Sequence, residues 1–530
     1  MNTQEKMCLP KEGWAGFKEN IAADASAGFI VFLLALPLSL GIAKASDFPP
    51  LMGLITAIIG GIIVSFFSGS RLTIKGPAAG LIVIVGGAVA DFGGGETGWH
   101  MALGAMVIAG LIQICFGVFK MGKLADFFPL SAVHGMLAAI GLIIISKQIP
   151  VLLNIDTAIT KGKGTLALFA LIPTFFKQLD SRATAIGVIS LAIMMGWPYV
   201  KQKHLRLIPA PLLVLIIAIP AELFMDFQRT EPGYALVHIG NLLAHLNVQV
   251  NFNGLSKTTL FIKYIVMFSL VGTLESLLTL KAIDLRDPFK RKSNPNKDLI
   301  AVGIGNVVSA VLGGLPMIAE VARSSANVSN GAKTRWANFF HGVFILIFVV
   351  LAVHLIEMIP NTALAAMLIS VGIKLAHPKE FLHTFKIGKE QLAIFLITIF
   401  FTLYEDLLVG IAAGIVLKII IHFFHGTPVS SLFKAQTSIS FNGDDYLVEI
   451  DKSAIFSNFL GIKNQLESIP TGFNITIDLQ NTRLVDHSVM MSLHHFKQEY
   501  ETNGGTVTII GLEQHEPFSE HKYASRRKKF

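Results

Sequence analysis

Long apolar runs, separated by short polar stretches, dominate the first 425 residues of the chain. The longer runs, such as 101–118, approach the ~20 apolar residues that cross a hydrocarbon core. The pattern predicts a polytopic α-helical membrane protein with fourteen segments, some of them only half as long as a full crossing. Their approximate bounds are 21–47, 51–69, 76–90, 99–119, 129–149, 182–198, 208–226, 257–283, 298–313, 317–329, 337–358, 361–376, 390–404 and 406–425.

The remainder of the chain divides into shorter regions. Residues 1–20 are predicted to be an N-terminal tail ahead of a transmembrane domain at 21–425, and 164–180 an amphipathic helix at the membrane interface. The first apolar run contains a proline and no A-x-A cleavage site, so it is predicted to be a retained helix.

The pattern changes near Thr427, where short alternating stretches replace the long apolar runs. Strands are predicted at 437–441, 446–450, 473–479 and 506–510, and amphipathic helices at 458–469 and 488–500. Strands that alternate with helices predict a small α/β domain over 427–515. A basic tail at 516–530, predicted to be solvated or attracted to lipid headgroups, ends the chain.

Composition supports lipid as the solvent of most of the chain. Only 15% of the residues are charged, against about 25% in soluble domains. The net charge of +8 is explained by basic loops that stay in the cytoplasm, so nucleic acid is not expected as a partner and membrane lipid is. The same rule predicts an inner-membrane protein with both termini in the cytoplasm.

The chain lacks the sequence signatures of common catalysts. It contains no Walker motif, dinucleotide fingerprint, HExxH or CxxC pair, and Cys8 and Cys115 lie far apart. Neither an enzyme, a metal site nor an organic cofactor is therefore predicted.

Two segments are broken in corresponding places of the two halves, at 71–80 and 313–320. Each sets glycine and proline ahead of a short helix, which predicts a strand-like half followed by a half-helix. The two segments enter from opposite sides, seven segments apart, as in a 7+7 inverted repeat. Their positive helix ends and free N–H groups would then form an anion site; two unrelated proline kinks are the alternative. The predicted substrate-binding residues are Lys75, Gly76, Pro77, Ala78, Ala79, Pro316, Met317, Ile318, Ala319 and Glu320.

Charged residues inside the membrane segments add to this site. Glu275 lies in the eighth segment with Thr279 one turn along the same face, while Lys75 and Glu320 flank the two breaks. An unpaired charge costs at least ~2.5 kcal/mol at the membrane centre, so each is expected to pair or to face a wet cavity. Contact with the anion and a structural ion pair, for instance Lys75 with a glutamate, both stay open. Arg323, one turn after Glu320, is interpreted as neutralising it.

These stretches resemble the SulP anion transporters, relatives of the mammalian sulfate, chloride and bicarbonate exchangers. The similarity rests on 35–39, 75–80, 274–279 and, above all, 305–335. The resemblance implies core and gate subdomains, an elevator-like motion, a homodimer and a cytoplasmic STAS domain. It also implies that Glu275 and Thr279 can belong to a coupling-cation site, as in sodium-dependent bicarbonate members.

The C-terminal domain carries its own resemblance. The run 475–479, followed by 485–489, is similar to a STAS strand–helix junction, where Asp486 would cap the helix. The chain departs from the family pattern at Lys75, at Glu320, and at Val489, which replaces a glycine after Ser488.

The predicted function is secondary active transport of a small inorganic anion, bicarbonate or sulfate. Na⁺ or H⁺ would be the coupling ion, acting through Glu275. Backbone N–H donors suit both anions, so the sequence does not choose between them. An anion-sensing scaffold without net transport and a nucleobase permease on the same scaffold are the alternatives.

Overall fold

The apolar runs fold into helices whose bounds follow the predicted segments. The structure, a computed structural model, describes residues 9–160, 162–202, 208–225, 248–443 and 445–529, together with 236, 237, 239, 240 and 242. Helices of the first half are α1 Gly13–Ala45, α2 Pro50–Phe67, α3 Ile82–Asp91, α4 Gly95–Val118, α5 Leu130–Leu152, α6 Thr157–Thr160, α7 Thr165–Ala170, α8 Ile172–Gln178, α9 Ser181–Gly196 and α10 Ala210–Met225.

The second half repeats the arrangement. Its helices are α11 Thr258–Asp284, α12 Pro295–Val311, α13 Val321–Ser329, α14 Trp336–Leu351, α15 Val353–Glu357, α16 Asn361–Leu375, α17 Pro378–Ile387, α18 Lys389–Tyr404 and α19 Leu407–Phe424. Within the part of the chain that the structure describes, six spans are long and apolar enough to cross a membrane on their own. They are Gly13–Ala45, Pro50–Phe67, Gly95–Val118, Leu130–Leu152, Asn253–Asp284 and Leu407–Phe424.

Helix α1 begins at Gly13, inside the stretch 1–20 that the sequence predicts to be a tail. Two aromatic side chains account for the longer helix. Trp14 and Phe17 pack on Trp336, with ring centroids 5.4 and 5.0 Å away. Such contacts stabilise a helical turn whose own residues are too polar for the hydropathy pattern to reveal it.

Two further predictions of helix extent are wrong. The single interfacial helix at 164–180 is two short helices that meet at Leu171, and the segment 337–358 is broken at Ala352. Pro173 at the start of α8 lacks the N–H that a continuous helix needs. Helix α17, which begins at Pro378, was not predicted.

The chain forms two compact units. The first comprises Met1–Gly122 and Ile140–Lys374, and the second comprises Lys123–Ala139 and Leu375–Phe530. Both broken segments belong to the first unit. The second unit contains α17, α18, α19 and the C-terminal α/β domain.

The C-terminal domain is a mixed sheet covered by two helices, α20 Phe459–Ser468 and α21 His487–Thr502. Among the described residues the strands are β3 Gln436–Asn442, β4 Asp445–Ala454, β5 Asn474–Asp478, β6 Thr482–Val485, β7 Thr506–Ile510, β8 His515–Pro517 and β9 Arg526–Lys528. Their order is β7-β5-β4-β6-β9-β8, with β3 paired to β4. All four predicted strands and both predicted helices are confirmed.

The region 516–530 is not the solvated or lipid-bound tail that its charge predicts. Strand β9 pairs antiparallel with both β6 and β8, so the sheet continues to Lys528. Arg526, Arg527 and Lys528 are exposed or only partly buried, so main-chain pairing is the interaction that places this strand.

Candidate functional site

The two broken segments meet as a pair of short antiparallel strands, β1 Lys75–Pro77 and β2 Met317–Ala319. Gly76 lies opposite Ile318, and Lys75 lies opposite Ala319. The pairing satisfies main-chain groups that would otherwise be unpaired where each helix is interrupted. The predicted strand-like halves are therefore present, and each is stabilised by pairing with the other.

Side chains from neighbouring helices fix the second strand. Asn306 on α12 accepts a hydrogen bond from the Met317 N–H at 2.6 Å and donates to Gln113 on α4 at 2.7 Å. Thr56 on α2 accepts from the Leu315 N–H at 2.8 Å. Gly313, at φ +87°, makes the turn that leads into this stretch. The strand is held by buried polar contacts on both sides.

A short helix follows each strand. A 3₁₀ turn at Ala79–Leu81 leads into α3, and Glu320 caps α13 by accepting a hydrogen bond from the Arg323 N–H at 3.4 Å. The N-termini of both half-helices thus start where the strands end. Nine of the ten predicted substrate-binding residues are buried, and Glu320 is partly buried.

Arg323 is the most unusual side chain of this region. It is fully buried, and its three guanidinium nitrogens have no hydrogen-bond partner among the residues that the structure describes. The guanidinium lies against Gly76, where a Cβ atom would collide with it. A buried charge without a partner destabilises a fold strongly unless a ligand completes it. Arg323 is therefore a candidate anion-binding group between the two broken segments, and Glu320 is close enough to act on its charge.

His341 on α14 shares this environment. Its ring is fully buried, and the charge of Arg323 acts on it. One turn earlier, Asn338 accepts from the Lys75 N–H at 3.2 Å and donates to the Gly60 carbonyl at 2.8 Å. The face of α14 that carries His341 is thus fixed against β1.

Glu275 on α11 lies on the other side of the half-helices. Its carboxylate fills the space above Gly80, where a Cβ atom would collide with it. The Oε1 atom is buried and finds no partner among the described residues, and the charge of Glu320 acts on the group. Thr279, one turn later, is also buried. The structure thus brings Glu275 to the start of the first half-helix.

Lys75 does not face this site. Its ammonium is buried in an ion pair with Asp298 of α12 at 2.9 Å and also donates to Ser68 at 2.9 Å and to Thr73. The pair is structural, and the partner is an aspartate, not the glutamate that was suggested as an example. Neighbouring residues of a strand face opposite sides, so the Lys75 side chain lies on one face of β1 and the Arg323 guanidinium lies against Gly76 on the other.

We expect Lys75→Met to destabilise the protein by about 3–5 kcal/mol, because Asp298 would be left buried without its counter-ion. Adding Asp298→Asn should recover part of that loss, whereas the apparent anion affinity of the folded variants should change little. Thermal unfolding and uptake kinetics on both singles and the double variant test this, with Lys386→Met, at an exposed position, as control. Additive losses of stability in the double variant would contradict the pairing.

Paired half-helices in two inverted halves, with a buried cation between them, define a membrane transporter. The sequence profile of the sulfate permease family matches residues 21–398, and the chain belongs to this family. The family consists of membrane anion transporters, so the chain is a transporter and not an enzyme.

Relatives cover most of the chain. The putative sulfate transporter YvdB of Bacillus subtilis is 26% identical over 507 residues, which are 94% of this chain and 93% of the relative. The bicarbonate transporter BicA of a Picosynechococcus species is 24% identical over 402 residues, with coverages of 75% and 69%.

Solved structures share the fold. The transmembrane domain of a cyanobacterial bicarbonate transporter BicA aligns with a TM-score of 0.64 at 22% identity, covering 75% of this chain and 98% of that domain. SLC26A9 aligns with a TM-score of 0.69 at 15% identity, covering 93% and 85%. The predicted fold class, a polytopic helical membrane protein with a C-terminal α/β domain, is confirmed.

Sequence reasoning missed one residue of the site and described another only in part. The charge of Glu320 does act on Arg323, as the sequence predicts, but the contact of Arg323 with Gly76 was not predicted, and His341 was not singled out. The available signal for Arg323 was its position in the first turn of the second half-helix. A cation there adds its charge to the positive potential of the helix N-terminus.

Proposed function

We propose that this chain is a secondary active transporter of a small inorganic anion, and that bicarbonate is its primary substrate. The observation that carries the proposal is the buried guanidinium of Arg323 between the two half-helices, which makes no hydrogen bond within the part of the chain that the structure describes. An oxyanion there receives charge-assisted hydrogen bonds from Arg323 and the positive ends of α3 and α13. Relatives named as sulfate and bicarbonate transporters support the same class of substrate.

The charges around the site favour a monovalent anion. Glu320 is close enough to act electrostatically on Arg323, Glu275 and Lys374 of α16, so two acidic and two basic groups share this region. The two helix N-termini add about half a positive charge each. One negative charge balances that total, whereas divalent sulfate leaves an excess charge in hydrocarbon, which is costly. Sulfate transport would therefore require a proton or a metal cation to travel with it.

We assign the coupling role to Glu275, with Thr279 as a neighbouring oxygen ligand. A buried carboxylate with an unpartnered oxygen can take up a proton or bind Na⁺ when the anion enters. The same contact with Gly80 that positions Glu275 links the coupling ion to the first half-helix. Cation and anion sites that share a half-helix can exchange binding energy, which is the requirement for coupled transport.

Orientation and assembly complete the proposal. We propose that the protein lies in the inner membrane with both termini in the cytoplasm, and the distribution of basic loops supports this orientation. We further propose an elevator-type cycle in a homodimer, on the strength of the family resemblance.

The test is uptake of radiolabelled bicarbonate and sulfate into proteoliposomes under an imposed Na⁺ or pH gradient. We expect gradient-driven bicarbonate uptake and competition by other monovalent oxyanions. Saturable binding without uptake would instead identify an anion sensor, and uptake of sulfate alone would overturn the charge argument. Uptake of a labelled nucleobase would identify the permease alternative.

Gly76→Ala should raise the apparent KM for the anion about tenfold, because a Cβ atom displaces the Arg323 guanidinium from its hydrogen-bonding geometry. Gly196→Ala is the matched control, since a Cβ there meets nothing within 4 Å. Initial uptake rates at graded anion concentrations measure the effect. An unchanged KM for Gly76→Ala would show that the anion binds away from Arg323.

A further inference from the structure

A buried ion pair joins the last membrane helix to the C-terminal domain, and the transport site makes no use of it. Lys418 on α19 is only 1% exposed, and its ammonium lies 3.2 Å from the Asp486 carboxylate and 3.1 Å from the Ser488 hydroxyl. The same ammonium sits 5.1 Å from the centre of the Phe456 ring. His422, one turn later, places Nε2 at 3.6 Å from the same carboxylate.

Asp486 is the centre of this cluster. As predicted, it caps α21: its Oδ1 accepts from the Val489 N–H at 2.8 Å. Its Oδ2 accepts from the Phe456 N–H, also at 2.8 Å. Burial alone would raise the pKa of Asp486, but Lys418, His422 and the two N–H donors together hold it below its usual value. The carboxylate is therefore ionised when the domain is docked.

Smaller polar contacts surround the ion pair within the same unit. Ser525 of the domain lies 3.3 Å from Gln391 on α18, and Ser519 donates to the Ile387 carbonyl of α17 at 2.7 Å. Lys463 on α20 pairs with Asp126 at 2.6 Å. The domain is thus tied to three consecutive helices and to the loop that precedes α5.

We propose that the Lys418–Asp486 pair anchors the C-terminal domain on helix α19, and that the two stay joined throughout the transport cycle. Separation would leave the Lys418 ammonium on a membrane helix without its counter-ion, which is strongly unfavourable. The domain is then a fixed part of the membrane structure, and any signal that reaches α21 acts directly on α19. The proposal goes beyond the transport function and does not depend on which anion is carried.

A reversible cross-link tests whether the domain separates from the helices. The experiment uses full-length protein in which Cys8 and Cys115 are replaced by serine. The substitutions Gln391→Cys and Ser525→Cys are then introduced, and a short thiol-reactive linker that a reductant cleaves joins the two new cysteines. We expect the bicarbonate uptake rate to stay within about twofold, since a link between parts that do not move cannot block a conformational step. Loss of uptake that a reductant restores would overturn the proposal.

The control pair lies within the domain itself. Asn474 donates to Asp445 at 2.9 Å between β4 and β5, so Asp445→Cys with Asn474→Cys receives the same linker without crossing the interface. If uptake is already absent before the cross-link is made, the result contradicts the proposed transport function. It does not contradict the proposed anchor, which the unfolding measurements test separately.

Thermal unfolding tests the pair directly. Lys418→Met and Asp486→Asn should each lower the Tm by several degrees, and the double variant should lose clearly less than the sum. Asparagine keeps one acceptor oxygen, so it can retain the helix cap but not also the hydrogen bond from the Phe456 N–H. The comparison of the single variants with the double variant therefore isolates the charge. Lys497→Met, which removes an exposed pair with Glu501 on the same α21, should leave the Tm unchanged. Additive losses in the double variant would show that the two charges do not act as an anchor.

Discussion

Arg323→Gln should nearly abolish anion uptake while leaving the fold as stable as before, or more stable. Truncating a buried charged hydrogen-bond partner of a ligand costs about 2–5 kcal/mol, or roughly 30-fold to several thousand-fold in affinity. Stability should not fall, because the buried guanidinium makes no hydrogen bond within the described residues. Arg323→Lys keeps the charge and should retain part of the activity.

Two measurements separate a binding role from a structural one. Bicarbonate should raise the Tm of the wild-type protein, as any ligand that binds only the folded state does, and should not raise that of Arg323→Gln. Arg286→Gln is the control, since Arg286 is exposed and donates to Ser325 of the same half-helix at 2.7 Å. A large fall in Tm for Arg323→Gln would instead indicate a structural cation.

Local signals explain why most of the fold was predictable. Each membrane segment is predicted by its own apolar run. The two breaks are predicted by Gly and Pro at 76–77 and 313–316. The extension of α1 and strand β9 lacked such signals. The first depends on contacts of Trp14 with Trp336, and the second on main-chain pairing with Leu484 and Val485. Both are tertiary contacts that no local pattern encodes.

The site was predictable in place but not in detail. Neighbouring residues of a strand lie on opposite faces. The sequence alone therefore does not show whether Lys75 or Gly76 lies on the face of β1 that we propose contacts the anion. The partner of Lys75, Asp298, is 223 positions away, and Arg323 reaches Gly76 only because β1 and β2 pair. That register explains why Lys75 pairs with Asp298 and why Arg323 is the residue that we propose to bind the anion.

Glu275 also contacts one of the two broken segments. Because Glu275 fills the space above Gly80, glutamine at this position keeps the shape of the side chain and removes only its charge and its proton. We expect Glu275→Gln to fold normally, to bind the anion and to exchange it across the membrane when anion is present on both sides. Accumulation driven by a Na⁺ or pH gradient should be lost, because no group is left to carry the coupling ion.

Two assays on the same proteoliposomes separate these activities: anion exchange without a cation gradient, and gradient-driven uptake. Glu405→Gln, at an exposed position, is the control and should retain both. Thermal unfolding should give Glu275→Gln a Tm equal to or above that of the wild type, since an unpartnered buried carboxylate is removed. Gradient-driven accumulation at the wild-type rate in Glu275→Gln would remove the coupling role from this residue, whereas loss of both activities with an intact fold would make it part of the anion site itself.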